Sequence, residues 1–235
     1  MSREPIAVIG GTGDLGFGLA LRWARAGVVV RIGSRDEKRA QDAAERIREI
    51  LRATTLLGDS MGPAIEGFEN SHAAAQASMV VLAVPFPAQV GILKSIRKSL
   101  REAVLVDTTV PLAATLGGKP TRLLGVWQGS AAEQAREIIP DAIPVLAAFH
   151  NLSAAVLQDL TLAPDCDILV CGDDDEAKQR LFPLVQLIPG LRPIDAGPLE
   201  MARIVESLTA LLVSLNRSYG AHHAGIRITG LDSLP

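Results

Sequence analysis

Residues 6–16 read IAVIGGTGDLG, four apolar residues that run directly into a cluster of glycines. A strand that meets the pattern Gly-x-Gly-x-x-Gly and then opens a helix is typical of a dinucleotide-binding turn. The first glycine makes a tight turn, the second lets the backbone approach a pyrophosphate, and the third lets helix and strand pack closely. Free N–H groups at the helix N-terminus then face the phosphates. With a purely structural turn as the alternative, we predict that the dinucleotide is bound by Gly11, Thr12, Gly13, Asp14, Leu15 and Gly16.

Outward from this turn, short apolar runs alternate with helix-like patterns. The predicted strands are 6–9, 28–32, 79–84, 103–106 and 143–147, with a short one at 64–68 beside a weakly patterned loop region. Helices are predicted at 15–26 and 36–52, where apolar residues recur at helical spacing. The run 79–84 is apolar throughout, as in a strand buried on both faces of a parallel sheet. The β-α-β-α order predicts an α/β fold with a doubly wound, mostly parallel Rossmann sheet.

The pattern changes after His150. Strands are predicted at 168–171 and 191–195, and residues 172–175 place acidic side chains at the start of a helix, in which Pro183 predicts a kink or a break. A long helix with one apolar face follows, formed by Met201, Ile204, Val205, Leu208, Leu211, Leu212 and Leu215. We expect a small C-terminal helical annex, whose apolar face packs either on its own domain or on a second copy in a homodimer.

The composition excludes several classes of partner. The chain has 235 residues, a net charge of −3 and 3% aromatic residues, so it has neither the basic field nor the stacking platforms of a nucleic-acid-binding protein. Because no membrane span or signal peptide is evident, we expect a soluble cytoplasmic protein without a membrane partner. Cys166 and Cys171 fall on opposite faces of a predicted strand, so neither a disulfide nor a metal site is expected.

The stretch GSRDEKR, residues 33–39, follows the second strand, where an acidic residue would bind the ribose 2′-hydroxyl of NAD. Here Ser34 and Arg35 occupy that corner, and the acid, Asp36, comes one residue later. A planar guanidinium suits phosphate oxygens, which predicts a 2′-phosphate pocket and therefore NADP. The alternative is that Asp36 binds the 2′-hydroxyl and the cations are solvated. The further residues expected at this pocket are Thr12, Lys38 and Arg39.

The carboxyl ends of the remaining strands should line the nicotinamide, because ligands bind at that edge of a parallel sheet. No Tyr-x-x-x-Lys pair is present, since Tyr219 is the sole tyrosine and no lysine follows Lys178. His150 is the one histidine at a strand end, where it either forms the pocket wall or transfers a proton. The residues predicted to bind the cofactor on this side are Ala83, Val84, Pro85, Val110 and His150.

A site without an acid–base dyad suits hydride transfer between two cofactors, because the cofactors then supply both reacting atoms. The chain resembles the coenzyme F420-dependent NADP oxidoreductases, also called NADPH-dependent F420 reductases, over nearly its whole length. The matching segments are GGTGDLG at 10–16, GSR at 33–35, VCGDDDEAK at 170–178 and GLRPIDAGPLEMARIVESLT at 190–209. The resemblance implies that Thr12, Ser34 and Arg35 bind the 2′-phosphate and that residues 83–85 lie beside the nicotinamide ribose. It also implies a deazaflavin over the nicotinamide, in a cleft closed by the C-terminal part.

We therefore expect an enzyme that moves a hydride between C4 of NADP(H) and C5 of coenzyme F420. Residues 1–150 would form the NADP-binding Rossmann domain, and residues 151–235 would close the second-substrate cleft. An NADPH-dependent flavin or metal reductase and a non-catalytic NADPH-binding sensor are the alternatives. The expected partners are small-molecule cofactors and, through the C-terminal helices, a second copy of the chain.

Overall fold

The computed structural model describes residues 4–54 and 64–231, which form one eight-stranded sheet with helices on both faces. The part of the predicted loop that contains Gly58 and Gly62 lies outside the described residues. The strands are β1 (Ile6–Ile9), β2 (Val30–Ser34), β3 (Ile65–Glu69), β4 (Met79–Leu82), β5 (Val104–Asp107), β6 (Val145–Ala147), β7 (Cys166–Gly172) and β8 (Leu191–Asp195). The helices are α1 (Asp14–Arg25), α2 (Glu37–Thr54), α3 (Asn70–Ala75), α4 (Phe86–Ile96), α5 (Ala131–Ile138), α6 (Ala154–Gln158), α7 (Asp175–Gln186) and α8 (Ala202–Tyr219), with short 3₁₀ helices at Ala113–Leu116 and Leu199–Met201.

The order of the strands across the sheet is β3-β2-β1-β4-β5-β6-β7-β8. The first six strands are parallel, β7 is antiparallel to β6, and β8 is parallel to β7. The order reverses between β1 and β4, and ligands bind outside the carboxyl ends of the strands at such a reversal. The doubly wound, mostly parallel α/β fold predicted from the sequence is confirmed.

The core consists of two apolar layers, one on each face of the sheet, because successive strand residues point to opposite faces. On β1, for example, Ile6 and Val8 belong to the layer that α1, α2 and α7 cover, whereas Ile9 belongs to the layer that α3, α4 and α5 cover. Cys166 and Cys171 are free and buried, and they belong to opposite layers, because they lie on the opposite faces of the strand that the sequence predicts. Burial on both faces explains why most of these strands read as continuous apolar runs.

The chain after residue 150 adds strands as well as helices to the main body. The two predicted strands are present as β7 and β8, and they extend the same sheet, so the helical annex shares its core with the rest of the protein. Helix α7 begins after Asp174, whose side chain accepts a hydrogen bond from the amide of Ala177. Pro183 lies inside α7, in its last turn, and the helix continues to Gln186, so the break that was one of the two predicted effects of Pro183 does not occur at the proline itself.

Helix α8 buries only part of its apolar surface. Val205 and Leu212 are buried, whereas Ile204, Leu211 and Leu215 are 58%, 51% and 38% exposed. The apolar face of α8, which was expected to pack as one stripe, is therefore divided: part of it is buried against the sheet and part is exposed at the protein surface. Neither α8 nor another helix in residues 4–54 and 64–231 is long and apolar enough to cross a membrane.

Candidate active site

The carboxyl ends of five neighbouring strands meet at one edge of the sheet. Backbone hydrogen bonds of 2.8–3.1 Å connect each strand end to the next. The amide donors and carbonyl acceptors pair as Gly10 with Gly33, Ala83 with Ile9, Thr108 with Leu82, and Ala148 with Asp107. The segments in which we predicted site residues therefore all leave the sheet at this edge.

The glycine turn is tightly packed at two of its glycines and open at a third. Gly10 has φ +83°, and a Cβ there would lie 2.2 Å from the carbonyl oxygen of Ala83. A Cβ on Gly16 would lie 2.5 Å from the carbonyl oxygen of Gly10, so Gly16 lets α1 pack onto the turn. Gly13 is exposed and has φ −90°, and among the described residues the nearest atom to a Cβ there would be the carbonyl oxygen of Gly10, at 3.4 Å. The protein itself does not require glycine at position 13, as expected where a pyrophosphate is the close neighbour.

The other predicted residues of the turn lie where the turn enters α1. Gly11 is buried beside Ile32, Thr12 and Leu15 are half-buried, and Asp14 is the exposed first residue of the helix. The N-cap residue of α1 is Gly13, and no side chain caps the helix there. The first-turn N–H groups therefore have no side-chain acceptor within residues 4–54 and 64–231, and they can bind an anion.

The acidic residue at the corner after β2 is engaged by its own helix. Asp36 Oδ1 accepts hydrogen bonds from the backbone amides of Lys38, at 2.9 Å, and Arg39, at 3.4 Å, at the start of α2. Ser34 is buried, and its Oγ accepts a hydrogen bond from the amide of Asp36 at 3.3 Å. Because the Asp36 carboxylate caps the start of α2, the geometry argues against a hydrogen bond between this carboxylate and a ribose 2′-hydroxyl.

Arg35 lies at the same corner, between Ser34 and Asp36 in the chain. It is exposed, and its guanidinium makes no hydrogen bond or ion pair with any residue of the described ranges. Lys38 and Arg39 are also exposed, and the Lys38 ammonium lies 3.9 Å from Asp42 one turn further along α2. A free guanidinium beside a serine hydroxyl has donors available for the oxygens of a phosphate group.

The segment after β4 lies against the other side of the glycine turn. A Cβ on Gly10 would lie 2.2 Å from the Ala83 carbonyl oxygen and 2.8 Å from Val84 Cγ1, so this segment and the turn are in close contact. Pro85 is the exposed N-cap residue of α4, and Val110, after β5, is half-buried. The corner of Ser34 and Arg35 lies beyond β1 from this segment. That separation suits an extended dinucleotide with its adenosine end at β2 and its nicotinamide end beyond β4.

His150 follows β6 on strained backbone. Its predecessor, Phe149, has φ +67°, the one positive φ among non-glycine residues of the described ranges, and an aromatic residue adopts it at a cost in energy. His150 is 5% exposed, and neither ring nitrogen has a hydrogen-bond partner among these residues. Burial lowers the pKa of His150 to about 3, so the imidazole is neutral near pH 7. In a neutral imidazole one ring nitrogen is a donor and the other an acceptor, and here both are buried.

The chain has relatives along nearly its whole length. A family model described as NADP oxidoreductase, coenzyme F420-dependent, matches residues 5–111. The F420-dependent NADP reductase of Methanocaldococcus jannaschii is 43% identical over 227 residues, which cover 97% of this chain and 99% of that protein. The chain belongs to the coenzyme F420-dependent NADP oxidoreductase family.

Two further comparisons agree with this membership. The F420-dependent NADP reductase of Methanothermobacter thermautotrophicus is 45% identical over 227 residues, 96% of this chain and 95% of that protein. A crystal structure of a candidate F420-dependent NADP reductase from Arthrobacter sp. FB24 covers 95% of this chain and 98% of that chain, with 26% identity and a TM-score of 0.78. The family resemblance seen in the sequence is confirmed.

In this family member, a buried polar cluster that we did not predict lies behind the strand ends. Asp107, the last residue of β5, is fully buried, and Gln89 Nε2 donates both to its carboxylate and to the carbonyl oxygen of Ala131. Glu206 of α8 accepts hydrogen bonds from the amides of Ala131, at 2.9 Å, and Ala132, at 3.0 Å. Burial raises the pKa of Asp107 to about 6 and that of Glu206 to about 8. The cluster ties α4, α5 and α8 to the end of β5.

Proposed function

We propose that the protein is an NADPH-dependent F420 reductase, which transfers a hydride between C4 of NADP(H) and C5 of coenzyme F420. The observation that carries this proposal is the Arg35 guanidinium, which has no hydrogen-bond or ion-pair partner among the described residues and lies near the glycine turn. It stands in a chain that aligns almost end to end with F420-dependent NADP reductases. The free guanidinium favours NADP as one substrate, and the relatives favour F420 as the other.

The glycine turn and the β2 corner would hold the two charged groups of NADP. The open side of Gly13 admits the pyrophosphate to the N-terminus of α1, and Ser34 and Arg35 donate to the 2′-phosphate. Thr12, Lys38 and Arg39 add donors at the same corner. Residues 83–85 and Val110 would then line the nicotinamide end.

The contribution of the chain to the reaction is position and shielding. When both cofactors are bound, they supply the two reacting carbon atoms. The protein holds these atoms close together and excludes water from them. Because burial lowers its pKa to about 3, His150 is a weak base and is not protonated to an imidazolium near pH 7, so we assign it to the pocket wall and not to proton transfer.

We assign NADP binding to residues 1–150 and closure of the second-substrate cleft to residues 151–235. The contact that supports this division is a hydrogen bond of 2.6 Å from Thr209 Oγ1, on α8, to the carbonyl oxygen of His150. It holds the C-terminal helix against the last strand end of the predicted NADP domain. A second substrate above the nicotinamide would meet both parts of the chain.

We also propose that the protein is a cytoplasmic homodimer that associates through α8. Three exposed apolar residues of this helix, Ile204, Leu211 and Leu215, recur at helical spacing and continue to the exposed Tyr219. A contiguous apolar stripe of this kind marks an association surface. Leu211→Glu would place a charge in the centre of the interface, so sedimentation should detect monomers of this variant and dimers of the wild type.

The function is tested by mixing the purified protein and NADPH with F420, FMN or FAD in parallel and recording absorbance. The proposal predicts that NADPH is oxidised with F420 and that both flavins react much more slowly. Rapid reduction of a flavin with F420 inert would identify a flavin reductase. Tight binding of NADPH without oxidation by any of the three acceptors would identify a sensor.

A further inference from the structure

A buried arginine of α1 holds the chain segment that follows His150. Arg22 lies in the last turn of α1 and is 5% exposed. Its guanidinium donates at 2.6–2.8 Å to four backbone carbonyl oxygens, those of Val156, Leu157, Asp159 and Leu162. Within residues 4–54 and 64–231, no carboxylate forms an ion pair with it, so backbone carbonyl groups are its direct partners.

The four acceptors lie at and just beyond the C-terminus of α6. A helix C-terminus has carbonyl groups without intrahelical partners and carries partial negative charge, which a cation stabilises. Helix α6 has five residues and is too short to be stable by itself. A planar guanidinium with donors in a fixed fork defines the orientation of such a segment, which a single-point ammonium cannot do.

The Arg22 contacts belong to a continuous strip along α1. Asp14, Gly18, Arg22 and Arg25 follow one another at intervals of four, four and three residues, so they lie on one face of the helix. Gln158 Nε2 donates to the Asp14 carbonyl oxygen at 2.9 Å, and a Cβ on Gly18 would lie 2.6 Å from Leu157 Cβ. At the far end, Arg25 Nη1 donates to the Leu160 carbonyl oxygen at 3.0 Å.

This strip joins the two halves of the site. Helix α1 begins at the glycine turn, where the pyrophosphate is expected. The segment it holds, residues 149–162, begins at the second-substrate side with the strained Phe149 and with His150, whose ring nitrogens have no hydrogen-bond partner among the described residues. Phe149 also packs edge-on against Trp23, the neighbour of Arg22 on α1, with 5.8 Å between ring centroids.

We propose that Arg22 is a positioning residue, which fixes the segment 149–162 on α1 and thereby sets where the second substrate lies relative to the nicotinamide. This inference rests on the proposed function. Arg22 touches neither substrate; it acts through the backbone of α6. A displacement of an ångström between reacting atoms lowers the rate of a reaction that depends on proximity by about 10²-fold.

The test variant is Arg22→Lys, which keeps the positive charge but removes the planar set of guanidinium donors. Arg180→Lys is the matched control, because Arg180 also donates to a distant backbone carbonyl oxygen, that of Ser78, at the opposite edge of the sheet. Calorimetry measures the Kd of NADP, and stopped-flow absorbance measures single-turnover hydride transfer from NADPH to F420. Circular dichroism at the assay temperature reports whether each variant is folded.

We expect folded Arg22→Lys to bind NADP within about threefold of the wild type and to transfer hydride at least about tenfold more slowly, a loss of about 1.4 kcal/mol in the barrier. Arg180→Lys should match the wild type. A hydride-transfer rate within twofold of the wild type would overturn the proposal, as would a slower rate fully explained by weaker NADP binding. If wild-type protein does not reduce F420, the proposed function fails, and that result is distinct from a failure of the Arg22 variant alone.

Hydrogen exchange of the wild type tests the same coupling if Arg22→Lys does not fold. Because α1 and the segment 149–162 form one unit, saturating NADP should slow amide exchange in α6 as well as in α1. Slower exchange in α1 with no change across 154–158 would overturn the proposal.

Discussion

Replacing Arg35 by alanine isolates the contribution of the 2′-phosphate pocket. Arg35 is exposed and has no hydrogen-bond or ion-pair partner among the described residues, so its replacement breaks no such interaction with them. The free energy of unfolding should therefore change by less than about 0.5 kcal/mol. What is lost is the charge-assisted contact with phosphate oxygens, about 1–3 kcal/mol. This corresponds to NADP binding weakened by roughly 5- to 150-fold.

NAD provides the internal comparison, because it has no 2′-phosphate. Its Kd should change by less than about twofold in Arg35→Ala, so the ratio of NAD to NADP affinity measures the pocket directly. Arg97→Ala is the matched control, since Arg97 is an exposed arginine beyond the end of α4 that faces the other edge of the sheet. Calorimetry with both dinucleotides on the three proteins completes the test. Equal NAD and NADP affinity in the wild type, or an unchanged NADP Kd in Arg35→Ala, would refute the assignment of this corner.

The remaining predictions concern the glycine turn and His150. Gly13→Val should abolish NADPH binding and keep the fold, because a Cβ is tolerated there by the protein but not by a pyrophosphate; near-normal binding measured by calorimetry would contradict this. His150→Gln should slow stopped-flow hydride transfer from C4-deuterated NADPH by about tenfold or less, whereas a thousandfold loss with both cofactors bound would indicate proton transfer. As the pH falls, His150→Gln should also lose less folding stability than the wild type. The unfolded histidine takes up a proton near pH 6.5 and the folded one only near pH 3, so the wild type loses stability as pH falls through this window, by up to about 1.4 kcal/mol per pH unit. Parallel losses in denaturant titrations of both proteins would contradict this.

The sheet could be read from the sequence because its signals are local. Strands buried on both faces appear as uninterrupted apolar runs, as at 79–84, and a glycine turn after the first strand indicates the fold. The helices α3, α4, α5 and α6 were not predicted. They have between five and eleven residues, so each offers only about one to three turns in which a helical period could be recognised, and α4 also has apolar residues around much of its circumference. Tertiary packing, not local pattern, defines them.

Within the site, the residues that act through a motif could be predicted and the residues that act through burial could not. The residues of the turn at 11–16 are consecutive in the chain, and so are those of the corner at 34–39, so the sequence pattern reveals each group. Glu206 and Asp107 are far apart in sequence, and only the fold buries them beneath the start of α5. Arg22 reads as an ordinary helix-surface arginine, since its four acceptors lie more than 130 residues away. The one signal available for Glu206 was a charged residue directly beside Val205 in an apolar helix.

The central claim is direct transfer of hydride from nicotinamide to deazaflavin, and isotope tracing tests it most directly. NADPH carrying deuterium at C4 is oxidised by the protein with F420 in ordinary water, and the reduced F420 is examined by mass spectrometry and NMR. The account predicts one deuterium at C5 of the product, supplied by one face of the nicotinamide only. Reduced F420 without deuterium from both samples of NADPH, one labelled at each face of C4, would contradict it, as would no reduction at all while NADPH remains bound.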